Sequence, residues 1–403
     1  MSGDYLPLLL FLIFVAAFLR DDFAFTLVYL LVGVFLVGNW WSRQSIAGVT
    51  YKRKFYNRAF LGEKISVELE ISNKKLLPIP WLRIREGLPV QLSGPDAFNR
   101  VLTLAPRAKE NFFYKLEARK RGYYTIGPLF LSTGDLLGLG SKELLSEGQT
   151  EYLTVFPKVV QLANLKFPSH SPLGSLRHTQ PIFEDPTRVK GKRDYIAGDS
   201  LRRVDWKTSA ITGRMQVKLF EPSIALDTMT FLDLNIQSYH YRSRIDATEL
   251  AIVIAASVSN WIIEKGQTVG LYTNGEDPLA VDGKAQLLPS RSGRVHLIRV
   301  LETLARIQTS DDGSFLAQQI QSQRIHLSWG TTLIIITGSV GDALLNELYQ
   351  ARRAGQNAII IISGRAVGVK DIQTRAGYFG IPVIPIANEN DLDRWGHGRI
   401  LNA

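Results

Sequence analysis

The chain has 403 residues, 45% of them hydrophobic and 21% charged, and a formal net charge of +10. Its length exceeds one ordinary domain, and its apolar content suffices for more than one core. The charge suits an anionic membrane surface, nucleic acid or an acidic protein without choosing among them. Cysteine is absent, which excludes disulfides, thiol nucleophiles and cysteine-ligated zinc.

Residues 1–45 read as a transmembrane helical hairpin, with apolar runs at 5–19 and 23–41 around the hinge Arg20-Asp21-Asp22. The second run spans roughly 28 Å as a helix, close to a bilayer core. The shorter first run needs thinning or snorkelling by Tyr5 and Arg20. Trp40 and Trp41 stand where an interfacial aromatic belt would lie. The opening "MSGD" lacks the positive start of a cleaved signal peptide. Arg43, Lys52, Arg53, Lys54 and Arg58 follow the second run, so the positive-inside rule places the soluble domains in the cytoplasm.

From 50 to 155 short alternating segments predict a small antiparallel β-sandwich. "KISVELEIS" (64–72) puts Ile65, Val67, Leu69 and Ile71 on one face. The prolines of 77–89 suit edges and turns, and the segment from Glu110 reads as a hairpin turning near Arg121-Gly122. Residues 225–403 alternate Ile/Val-rich strands (227–235, 268–273, 331–338, 357–363, 381–386) with helices (244–266, 292–307, 342–355). That pattern predicts a doubly wound parallel sheet whose ligand face lies at the carboxyl ends of its strands.

Between them, 156–224 is a connector with a concentrated charge cluster. Residues 188–218 hold nine Lys or Arg and three Asp. Gly198-Asp199 signals a turn, Asp199 or Ser200 can cap a helix "LRRVDWKT", and Gly213-Arg214 turns the chain into a strand. Three readings stay open. The charges can pair to lock the two flanking domains together, or form an exposed docking surface for an acidic partner. An active site on Asp194, Tyr195, Asp199 and Asp205 is the third. The docking candidates are Arg193, Asp194, Tyr195, Gly198, Asp199, Arg202, Arg203, Asp205, Trp206 and Lys207.

Enzyme signatures are wanting: the six histidines are scattered, and neither a His-Glu-x-x-His, a Gly-x-Ser-x-Gly nor a phosphate-binding loop occurs.

The segment 185–222, "DPTRVKGKRDYIAGDSLRRVDWKTSAITGRMQVKLFEP", resembles the hallmark of a bacterial membrane family catalogued as domain of unknown function fifty-eight. "KRGYYTIGPLFLSTGDLLGLG" (120–140) resembles its second recurring segment. The resemblance implies paired membrane helices, a β domain and a von Willebrand factor A-like domain of Rossmann type over 225–403. It also implies a protein partner, a MoxR-type AAA+ ATPase, with transglutaminase-like membrane proteins as further associates. Such A-like domains often hold Mg²⁺ through Asp-x-Ser-x-Ser after the first strand, a Thr from a second loop and an Asp after a later strand. Here Asp233 is followed by Asn235 and Gln237, the second loop offers Ser292, and Gly338 replaces the later Asp. Asn and Gln carbonyls can coordinate Mg²⁺, but one anionic ligand is little for a hard cation. The expectation is a degenerate site without metal or other cofactor.

The resulting expectation is a membrane-anchored, non-enzymatic adaptor or scaffold in the cell membrane that binds a protein partner and no nucleic acid. The alternatives are an envelope-processing enzyme and an anionic-lipid or nucleic-acid binder.

Overall fold

In Lys64–Asn73 every second side chain from Ile65 onward is buried, and the strand runs down the middle of a three-stranded sheet. The computed structural model describes residues 11, 13, 14, 22–92, 99–134, 141–145, 150–162, 184–222, 227–311, 316–366 and 368–397. The first apolar run, 5–19, lies outside them except for three residues, as does the end of the 120–140 segment. The chain forms two units, Met1–Pro157 and Lys158–Ala403.

The first unit opens with helix α1 (Asp22–Ile46). Its strands are β1 (Val49–Lys54), β2 (Arg58–Phe60), β3 (Lys64–Asn73), β4 (Ile79–Glu86) and β5 (Asn99–Leu104), then β6 (Lys109–Glu117), β7 (Gly122–Ile126), β8 (Leu129–Gly134), β9 (Ser141–Leu145) and β10 (Glu151–Phe156). They form sheets of order β1-β3-β6, β5-β4-β8-β9 and β2-β10-β7. Leu69 and Ile71 of the first sheet pack with Ile84 and Leu131 of the second. Ile65, Val67 and Leu116 pack with Ile126, Leu153 and Val155 of the third. One layer is thus shared by two apolar cores, as in a sandwich.

Three local expectations are corrected. β6 and β7 do not form a hairpin: β6 pairs with β3, and β7 with β10. The cationic run Arg119–Arg121, following the buried Ala118, carries the chain from one sheet to the other. The sandwich is not wholly antiparallel, because β2 joins β10 in parallel. β4 is an interior strand, and its Pro80 is accommodated where the pairing with β5 slips between Ile79 and Leu82.

The second unit contains β11 (Glu184–Asp194), α2 (Trp206–Thr212) and β12 (Gln216–Pro222), followed by an α/β region. The latter comprises β13 (Thr228–Leu232), α3 (Arg244–Glu264), β14 (Val269–Thr273), β15 (Leu288–Arg291), α4 (Arg294–Arg306) and α5 (Leu316–Arg324). It continues through β16 (Thr332–Thr337), α6 (Asp342–Arg353), β17 (Asn357–Ser363), α7 (Val369–Tyr378), β18 (Val383–Ile386) and α8 (Glu389–Gly396). The sheet order is β15-β14-β13-β16-β17-β18, parallel throughout except for β15. Strand β13 is buried along its whole length, as a strand covered on both faces must be. Met229, Phe231, Ile335 and Ile360 face α5, α6 and α7. Helix α3 packs on the alternate side of the same strands with α4. The order reverses between β13 and β16, which opens a crevice at their carboxyl ends.

Among the described residues two helices are long and apolar enough to cross a membrane: Phe25–Ile46 within α1, and α3. Their surroundings separate them. The apolar window of α3 is 72% buried by the sheet, whereas that of α1 is 11% buried. The foot of α1 is held by the β domain. Trp41 donates its indole hydrogen to the Pro78 carbonyl (3.1 Å), and Lys75 Nζ donates to the Gln44 carbonyl and side chain (both 2.9 Å). Trp41 therefore serves a protein joint, while Trp40 is exposed.

The β domain also buries a charge pair. Arg53 Nη2 lies 2.5 Å from Glu86 Oε1, with both side chains wholly inaccessible. The Tyr114 hydroxyl donates to the other carboxylate oxygen. Burial and the adjacent Glu86 charge push the Tyr114 phenol far above its ordinary range. Arg53→Met alone strands Glu86 without its counter-charge and is expected to cost about 3–5 kcal/mol. Arg53→Met with Glu86→Leu should recover most of that loss in urea denaturation.

Candidate functional site

Asp233 follows the last residue of β13, at the crevice. Its side chain is buried, and protein donors satisfy both carboxylate oxygens. Oδ1 accepts from the Asn235 amide (3.1 Å) and Asn274 Nδ2 (2.8 Å), and Oδ2 accepts from the Thr337 hydroxyl (2.8 Å). The Asn235 side chain accepts from the Gln237 amide (3.0 Å), and Gln237 reaches Asp311 (3.0 Å). The buried Tyr239 hydroxyl donates to the Asp233 carbonyl (2.5 Å). Burial, aided by the Asp233 charge, raises the Tyr239 phenol well above its usual range, so it stays a neutral donor.

Gly338 explains how the aromatic ring fits. A Cβ there would stand 2.4 Å from a Tyr239 ring carbon and 2.6 Å from the Ser238 carbonyl oxygen. The position expected to supply an aspartate is thus kept bare for the ring. Asp342 begins α6 and pairs with Arg375 instead. Ser292 is not part of this edge. Ser290 bonds the Thr228 carbonyl (3.1 Å) and Arg291 pairs with Val269, so Ser292 lies at the opposite end of β13. The reason is β15, an antiparallel edge strand that turns the loop back.

The polar run after α4 takes the expected place of Ser292: Ser310 bridges Asn235, accepting from the Ile236 amide (3.0 Å) and donating to the Leu234 carbonyl (3.1 Å). Thr337 and Asn274 had a faint signature, each being a polar residue at the end of an apolar strand. Tyr239 and Ser310 had none. Beyond the ring lies an open cleft of about 440 Å³, lined by Gln237, His240, Arg365 and Arg375 among others. Among the described residues no three His, Cys, Asp or Glu stand together as a metal-binding group. The donors around Asp233 are neutral hydrogen-bond partners, which suits a structural carboxylate better than a hard-cation site.

The charge cluster forms a separate module from the β11–β12 pair and α2. Asp194, Asp199 and Asp205 find their partners within it. Arg193 clamps Asp199 through two bonds of 2.6 Å, and the Ile196 amide adds a third at 3.0 Å. Those donors hold the Asp199 carboxyl below its ordinary range. Asp194 accepts from Gln216 across the strand pair. Asp205 pairs with Lys192 (2.8 Å) and accepts from the Thr208 amide (3.2 Å).

Asp205 is therefore the cap of α2, and the expected helix over 201–208 is broken. Leu201–Arg203 is a short 3-10 turn, and Val204 is extended and bridges Val217. The Asp205 cap makes a later start more favourable. Gly198 (φ 108°) and Gly213 (φ 67°) supply the turn and the helix end. The Tyr195 amide donates to the Met215 carbonyl (2.8 Å). What remains outward is cationic and apolar: Arg202, Arg203 and Lys207 are exposed, as are Leu201, Trp206 (67%) and Ile211 (77%). The ion pairs Lys192–Asp205 and Arg193–Asp199 are internal to the cluster and build the module.

Two outcomes are expected. Gly338→Ala should displace Tyr239 and lower stability by about 1–3 kcal/mol. Gly341→Ala, where a Cβ meets nothing within 4 Å, should change it by less than about 0.5 kcal/mol. Lys192, then the Thr208 amide, holds the Asp205 carboxyl at about 2, below its unfolded value of 3.8. Its stabilisation is thus complete above pH 3.8 and disappears as pH falls through 2. Lys192→Met should move that acid loss to higher pH in thermal unfolding profiles.

Residues 191–366 match the family described as "Protein of unknown function DUF58". The chain is also similar to "Uncharacterized protein YeaD" of Bacillus subtilis (strain 168), at 26% identity over 252 residues. That match covers 60% of this chain and 58% of the Bacillus protein, so it spans less than two thirds of that relative. Among solved structures, the CARDB domain of PF1109 from Pyrococcus furiosus is 16% identical, with a TM-score of 0.21 over 27% of this chain and 91% of that one. Native alpha-2-macroglobulin from Escherichia coli, from domain MG7 to its C-terminus, is 10% identical, with a TM-score of 0.24 over 82% and 41%. Likenesses at these scores carry no weight for this chain. The family match begins in β11 with the charge cluster and ends beside Arg365 at the crevice, and over those residues the chain is similar to the DUF58 family.

Proposed function

We propose that the protein is a membrane-anchored, non-enzymatic adaptor whose α1 crosses the membrane and whose soluble units bind a protein partner in the cytoplasm. The observation that carries this reading is the outward face of the charge module. Its carboxylates are occupied internally, and Trp206, Ile211 and Leu201 stand exposed beside Arg202, Arg203 and Lys207. Exposed large apolar side chains with arginines are the composition of interface anchors. The α/β region is read as a von Willebrand factor A-like domain whose metal position has been turned to structural use. Asp233 stands where the first ligand would, with Thr337 and Tyr239 closing around it. The positive flank Arg43–Arg58 supports the cytoplasmic side. The partner class is a MoxR-type AAA+ ATPase, with a transglutaminase-like membrane protein as a further associate, both following from the family resemblance.

Affinity capture of full-length protein from detergent-solubilised membranes, with and without slowly hydrolysed ATP, tests this. The expected result is a nucleotide-dependent AAA+ partner, lost by tenfold or more in the folded Trp206→Ala or Arg202→Glu/Arg203→Glu variants. Unchanged capture by both variants would remove the module from the interface.

A further inference from the structure

The surface at the foot of α1 holds a second concentration of charge. The chain passes from α1 to β1 through two residues, and the loops that meet it there come from distant parts of the β domain. The Lys74 amide donates to the Gly48 carbonyl (2.9 Å), and the Arg107 amide donates to the Lys75 carbonyl (3.1 Å). Beside this joint a shallow cavity of about 410 Å³ is lined by Lys52, Lys74, Arg107 and Lys109, with Thr50, Ser72 and Asn73. Glu70 is its only lining carboxylate, and it bonds Lys109 at 3.3 Å. Among the described residues Lys52, Lys74 and Arg107 form no ion pair, and all three are exposed.

The charges near the apolar run in sequence suit the topological rule, which reads residues within about 15–20 positions of a span. Lys74, Arg107 and Lys109 lie well beyond that distance and reach the joint only through folding. Arg107 also adopts φ 55°, the one positive φ of a non-glycine among the described residues. Glycine or asparagine would take that turn more cheaply, so the site keeps a guanidinium at a conformational cost. A cationic, hydroxyl-lined cavity at the level where an apolar helix ends matches a phosphate ester carried by a lipid.

We infer that this cavity binds the phosphate head group of an anionic phospholipid. The inference rests on the reading of α1 as a membrane span. The lipid's phosphate sits among Lys52, Lys74 and Arg107, with its acyl chains along the exposed side of α1. Bound lipid then fixes the depth at which the β domain meets the bilayer.

Native mass spectrometry of the full chain, released from nanodiscs of phosphatidylcholine with 30% phosphatidylglycerol (roughly one anionic lipid in three), provides the test. The expected result is at least fivefold preferential retention of phosphatidylglycerol. That preference should fall to parity in Lys74→Glu/Arg107→Glu, and weaken in Arg107→Gly, which removes the charge while suiting the backbone. An Arg107→Gly variant that melts at or above the parent temperature yet retains less phosphatidylglycerol would separate binding from folding. Equal retention of both lipids by the parent protein, or preference undiminished in either variant, would overturn the inference. Loss of the preference on adding millimolar inorganic phosphate alone would assign the cavity to free phosphate and also overturn it. Alkaline carbonate extraction of the same membranes reports separately on the span: release of the protein would sink the anchoring, whereas retained protein without lipid preference sinks the head-group site alone.

Discussion

A carboxylate taken out of water must have its oxygens satisfied, and the carboxyl edge of the second unit is organised by that demand. Asp233 is met by an amide, a side-chain amide and a hydroxyl from three different segments. Those three bonds tie the end of β13 to the loop after β14 and to the end of β16, across the place where the sheet reverses order. Tyr239 covers the arrangement from above, and Gly338 makes room for it. A carboxylate held this way is fixed in place by hydrogen bonds from its own chain. Beside this braced edge lies the cleft lined by Gln237 and His240.

The charge module meets the same demand with a different outcome. Asp194, Asp199 and Asp205 each have a donor within the module, two of those donors cationic. Pairing consumes the negative charge and leaves Arg202, Arg203 and Lys207 to define the outer face. Arg202, Arg203 and Lys207 are thus left exposed beside carboxylates that already have partners. This separation, with Trp206 and Ile211 among the cations, makes the module suited to recognition. Within it, the donors on Asp199 and Asp205 hold those two carboxyls below their usual range, so both stay ionised as structural acceptors.

Much of the framework was readable because its signals are local. The Ile/Val runs of β16 and β17, the alternation of β3 and the long apolar patterns of α1 and α3 are periodicities, and each element appears within a few residues of its expected place. What escaped was pairing. Nothing in Ala118–Arg121 says whether the following strand returns to its neighbour or joins another sheet. Likewise, Ser292 looks like a loop-tip serine in sequence, and only the antiparallel β15 sends it to the wrong end. Asp233 was identified by position, but its partners Asn274 and Thr337 are 41 and 104 residues away. Asp205 was misread as a mid-helix charge because a cap and an interior residue differ only in where the turn begins.

The joint between α1 and the β domain has a mechanical consequence. Two residues, an indole bond and a lysine clamp leave no swivel between helix and sheet. Rotating the helix about its own axis must carry the β layers through the same angle, as a keel turns with its mast. Azimuth and tilt of the helix are thereby written onto the attitude of the domain, and whatever rotates one steers the other.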